Sequence, residues 1–138
     1  MTILAPLSIG DLADRITILR IKQQRITDPF KLSYISDELA QLQSAWDAQV
    51  ERPVSGELDM LVGQLQEINT HLWVLEDEAR SYDLTSEPTR VADCLFAITR
   101  ANDQRARLKH YINNLMGSSI VEMKSHKTNT RNTEGRGR

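Results

Sequence analysis

Apolar side chains recur every three or four residues along most of the chain, the spacing of helices that each bury one face. Leu58, Leu61, Leu65, Ile68, Leu72, Leu75, Ala79 and Tyr82 alternate threes and fours without a miss. A 3.5-residue repeat of that length predicts a long helix packed closely and nearly antiparallel against a neighbour. Before it, Leu32, Ile35, Leu39, Leu42, Trp46 and Val50 form another stripe, opened by Asp28-Pro29 as cap and first-turn proline and closed by Pro53 and Gly56. After Thr85-Ser86-Glu87-Pro88 comes a third stripe: Cys94, Ile98, Ala101, Arg105, Leu108, Ile112 and Leu115. It predicts helix from about Thr89 to Met116, with Gly117 as C-cap.

The first helix is less regular. Ser8 reads as its N-cap, with Asp11 three residues on in a capping-box-like arrangement, and Ile9, Leu12, Ile16 and Leu19 share one face. Ile18 and Ile21 lie well away from that face, so the helix carries apolar surface on two sides. Either it is the central element of the bundle, or the second patch meets another copy. A twofold contact of like patches is the commonest closed arrangement, and a homodimer is the expectation drawn from it.

No run alternates in the manner of a strand. The expected fold is therefore all-α, an antiparallel bundle of about four long helices, with residues 1–126 as a single domain and 127–138 as a polar, disordered tail. A chain of 138 residues, 40% hydrophobic, suffices for one core and is too short for two ordinary ones. The formal charge of -2 gives no global attraction to nucleic acid or an anionic membrane, and neither is expected as a partner. No stretch approaches the ~20 apolar residues of a membrane span, and the start lacks the basic and apolar regions of a signal peptide. Cytoplasmic residence is expected. The single cysteine, Cys94, falls on an inward stripe and reads as a small core residue.

Candidate chemistry centres on Arg105, a charge in the middle of the apolar stripe of the last helix. An unpaired buried charge is costly, so this side chain must meet a carboxylate, hold an anion, or lie at a seam that water reaches. Glu76, at the edge of the inward face of the preceding helix, is the carboxylate that antiparallel packing would bring to it. The anion reading groups Arg105 with Lys109 and Arg15, and with Asn102 one turn away, in the manner by which helical chorismate mutases hold a dicarboxylate. A metal-dependent nucleotide pyrophosphohydrolase would need carboxylates converging at i, i+3 or i+4, whereas Glu76, Asp77 and Glu78 are consecutive and fan out. His71, His110 and His126 have no metal-ligand spacing with one another or with Cys94. No metal and no cofactor are implied.

Three stretches resemble a known family. Ser8-Ile9-Gly10-Asp11-Leu12-Ala13-Asp14-Arg15, running on to Ile26-Thr27-Asp28-Pro29, resembles the opening of a group of small bacterial proteins classed as a domain of unknown function. Leu72-Trp73-Val74-Leu75-Glu76-Asp77 and Asn102-Asp103-Gln104-Arg105-Ala106-Arg107-Leu108-Lys109 are similar to its other marks. The likeness covers most of residues 5 to 126. Members close with Glu-Glu-Lys-Ser-Tyr where this chain has Glu122-Met123-Lys124-Ser125-His126, and Arg20 stands where an acid is usual. The resemblance implies an all-helical cytoplasmic protein, associated with loci for bacterial surface polysaccharides and bringing no established reaction. It also implies that Trp73, Glu76, Asp77, Asn102, Asp103, Arg105 and Lys109 form one functional or architectural cluster. The expected function is a non-enzymatic interaction or assembly module that self-associates and can take a protein partner. The alternative is an enzyme binding a small anion or nucleotide through Arg15, Arg105 and Lys109.

Overall fold

The computed structural model describes residues 1–51 and 55–118. The described residues form four helices: α1 (Ile9–Arg25), α2 (Pro29–Gln49), α3 (Gly56–Ser81) and α4 (Pro88–Met116). Among the described residues there is no strand. The all-α bundle expected from the periodicity is the fold observed. The closing Glu122-Met123-Lys124-Ser125-His126 and the tail from 127 lie outside the described residues, as does Pro53.

Helices α1, α2 and α3 each begin where a capping side chain accepts from a first-turn amide. The Ser8 hydroxyl accepts from the Asp11 amide at 3.0 Å, Asp28 accepts from Phe30 at 2.9 Å, and Ser55 accepts from Leu58 at 3.1 Å. Gly56 is thus the first residue of α3 and not a terminator of α2, which stops at Gln49. The α3–α4 connection is folded by Asp83, whose carboxylate accepts from the amides of Thr85 and Ser86, and Pro88 then starts α4. Gly117 closes α4 in the left-handed region at φ 63°, the conformation that favours glycine at this position.

Helix α1 is central. It packs against α2, α3 and α4, while among the described residues the backbone of α2 lies beside no helix but α1. The second apolar patch of α1 is accounted for inside the monomer: Ile21 is 2% exposed and Ile18 is partly buried. That finding removes the reason for covering these two residues with another copy. The core joins Leu12, Ala13 and Ile16 of α1 to Leu61, Leu65 and Leu72 of α3 and to Ala101, Leu108 and Ile112 of α4. Trp46 and Val50 bring the end of α2 into the same core. Leu115, expected on the inward stripe, is 38% exposed, while Ile112 and Asn113 are buried and Met116 packs against the core, so the last turns of α4 face inward through 112, 113 and 116.

Candidate functional site: a charged seam between α1, α3 and α4

Two helices that pack closely need small or complementary residues along the line of contact. On α1 Gly10, Asp14, Thr17 and Ile21, spaced by four, three and four, are all buried on one face, and Gly10 and Asp14 of that face meet α4. On α4 it is Arg105, Lys109 and Asn113, two successive steps of four. The helices run antiparallel, so Gly10 meets Asn113, Asp11 meets Lys109, and Asp14 meets Arg105.

The pairings form a ladder. The Gly10 amide donates to Asn113 Oδ1 at 2.7 Å, so a side chain of α4 satisfies one of the first-turn amides of α1. A β-carbon on Gly10 would lie 2.5 Å from the Lys109 carbonyl oxygen and 2.8 Å from Asn113 Oδ1; the missing side chain is what lets the two backbones approach. Lys109 Nζ lies 2.8 Å from Asp11 Oδ1. Arg105 donates from Nε to Asp14 Oδ1 at 2.8 Å and from Nη2 to Asp14 Oδ2 at 2.5 Å, a two-point match of guanidinium to carboxylate.

Helix α3 completes the network through Asn69. Its amide nitrogen donates to Asp14 Oδ1 and to Thr17 Oγ1, both at 2.9 Å, while the Thr17 hydroxyl donates to the Asp14 carbonyl at 2.8 Å. The Asp14 carboxylate therefore holds α4 and α3 at once. Its side chain is 6% exposed and that of Arg105 is 30% exposed, so the carboxylate is sealed while water still reaches the guanidinium edge. Of the environments open to Arg105 from sequence, the carboxylate and the water-reached seam hold together.

The carboxylate is not the expected one. Glu76 projects to solvent, with its side chain 51% exposed and Arg80 Nη2 at 3.7 Å one turn on, while the acid at Arg105 comes from α1. Position along antiparallel α3 and α4 points to Glu76, but the faces of the two helices that look toward α1 decide the matter. Arg105 and Lys109 share the seam; Asn102, Asp103 and Trp73 are partly buried; Asp77 is exposed. Arg15 is exposed, Arg105 is partly buried, and Lys109 is buried and paired with Asp11, on which the Arg15 charge also acts.

Sequence reasoning missed Asp14, Thr17 and Asn69. A signal existed: stepping back from Ile21 by four, three and four gives Thr17, Asp14 and Gly10, a second stripe with an acid at its middle.

The electrostatics follow the pairings. Burial pushes the Asp11 carboxyl upward, but the hydrogen bond and charge of Lys109, the Ser8 hydroxyl and the Arg15 charge outweigh it, and the net shift is below the ordinary 3.8. The Cys94 thiol is pushed up by burial and then by the charges of Glu78 and Asp93, which suits a packed thiol and opposes a nucleophilic one. Among the described residues no group of three or more His, Cys, Asp or Glu side chains is placed to hold a metal ion. No helix among them is long and apolar enough to cross a membrane.

The inward charged groups Asp11, Asp14, Arg105 and Lys109 join the helices of this domain to one another. The chain belongs to the family described as "Protein of unknown function (DUF4254)", whose match spans residues 59–138. That span holds Asn69, Arg105, Lys109 and Asn113, while Gly10, Asp11, Asp14 and Thr17 lie outside it. No curated protein and no solved structure matches the chain.

Proposed function

We propose that this protein is a non-enzymatic helical interaction module that self-associates, resides in the cytoplasm and serves in an assembly with a protein partner. One observation carries the reading: the inward charges of α4 are matched by carboxylates of α1, Arg105 by Asp14 and Lys109 by Asp11. Charges so matched fix helix register; an anion would have to displace a carboxylate already held at two points. Apolar side chains on the outside support the interaction role, among them the edge-to-face pair Phe30 and Tyr34, 70% and 66% exposed. The setting in surface-polysaccharide biosynthesis rests on the family resemblance alone.

The test is a thermal-shift screen against nucleotides, sugar phosphates, dicarboxylates and divalent cations, run beside light scattering. A module gives no saturable rise in melting temperature and a mass of twice the 15.7 kDa chain. Saturable stabilisation by one ligand class that disappears in Arg105→Gln would replace this reading with the anion-binding enzyme.

A further inference from the structure

Helix α2 carries a second ordered face. Its stripe of Leu32, Ile35, Leu39, Leu42 and Trp46 is buried or partly buried. On the opposite side Phe30, Tyr34, Asp37, Gln41, Ala45 and Ala48 follow one another by steps of four, three, four, four and three, so they share one face, and all six are exposed. That face is graded in size. Two rings stand at its start, 70% and 66% exposed and joined edge to face with centroids 5.2 Å apart; a carboxylate and an amide occupy its middle, and two methyl groups its end. Among the described residues no helix but α1 lies beside α2, and α1 takes the inner side, where Arg20 meets Gln43 and Gln23 meets Ser36.

A surface that is large at one end and small at the other complements itself when turned end over end. We infer that the protein dimerises about a twofold axis through the middle of α2, with the α2 helices of the two copies antiparallel and these outer faces in contact. Setting Asp37 against Gln41 of the second copy brings Phe30 to Ala48 and Tyr34 to Ala45, and the twofold repeats each pairing. Rings then lie on methyl groups at both ends, where small residues let helix axes approach to about 8 Å. In the middle the Asp37 carboxylate accepts from the Gln41 amide of the second copy, and the two Asp37 positions stay about 6 Å apart along the axis. A parallel pairing would set ring on ring and carboxylate on carboxylate, so like charge disfavours it. A covered ring buries about 150 Å² or more. Four rings at their present exposure, with the surfaces they cover and the rest of a contact about 27 Å long, remove on the order of 1,000–1,200 Å² from water, the low end of a specific interface. Such a contact forms at high protein concentration and dissociates on dilution.

This inference rests on the self-association proposed above, and the two fail differently. Light scattering at high concentration is run on the wild type, on Tyr34→Glu, on Ala45→Phe, and on the double variant Tyr34→Ala, Ala45→Phe. Both positions are exposed, so the circular dichroism spectrum is unchanged throughout. Paired α2 faces predict a wild-type mass of twice 15.7 kDa. Tyr34→Glu gives half that mass, and so does Ala45→Phe, where two rings meet in the space of one. The double variant, whose ring and methyl group have changed places, returns to the dimer mass. A dimer that persists in Tyr34→Glu or Ala45→Phe, or a double variant that stays monomeric, overturns the α2 pairing while leaving self-association standing. A wild type that stays at 15.7 kDa at high concentration overturns both.

Discussion

Arg105→Ala leaves the Asp14 carboxylate in a site where its side chain is 6% exposed, with Asn69 as a remaining donor. The expected cost is about 3 kcal/mol, the usual penalty for stranding one member of a sealed pair. Asp14→Leu combined with Arg105→Met removes both charges and recovers most of that loss, as a urea-denaturation cycle on the two single variants and the double reads directly. Glu76→Ala, by contrast, breaks a solvent-exposed contact and changes stability by less than about 0.5 kcal/mol. A large effect at Glu76 would contradict the placement of the acid on α1. The Asp11 carboxyl gives a signature in pH. Its folded pKa lies below 3.8, so its contribution is present above that value and is lost as the pH falls through the lower, folded one. Melting temperature against pH in the acid range is therefore steeper for the wild type than for Asp11→Asn.

At the scale of elements, the α1–α4 contact depends on a missing side chain and the position of α2 on a single neighbour. Gly10→Ala drives a methyl group into the Lys109 carbonyl, which is backbone and cannot swing aside. The helices must separate, at about 1–3 kcal/mol, although alanine is the better helix former. A stabilised Gly10→Ala protein in thermal melts would show that the approach is looser than 2.5 Å implies. Helix α2 has α1 alone beside its backbone and is anchored in the core at its far end by Trp46 and Val50. Amide hydrogens of residues 30–40 are expected to exchange faster than those of residues 61–75 in α3, which packs against both α1 and α4. Equal protection in the two segments would mean that α2 is covered by something besides α1.

Across the whole molecule, α1 is the hub through which the other three helices are joined, and the seam runs along it. Ile21→Glu places a charge where the native side chain is 2% exposed. It should unfold or severely destabilise the monomer, seen as lost helical circular dichroism, and not merely dissociate a dimer. A folded Ile21→Glu protein would restore the surface-patch reading of α1.

The four helices, their caps at Ser8 and Asp28, and the stop at Gly117 were legible in the sequence, because periodicity and capping are set within a few residues of chain. So was the demand that Arg105 find a compensating group, since an inward charge on an apolar stripe is costly whatever the fold. The identity of that group was not legible. Glu76 and Asp14 are both acids on helices beside α4, and the choice depends on which faces three helices turn toward one another, a property of their mutual packing. The same packing turned the second apolar face of α1 inward and made Gly10 a contact point. Local chemistry fixes where a helix starts, stops and hides its stripe; which charges meet inside the bundle is decided only when the helices are brought together.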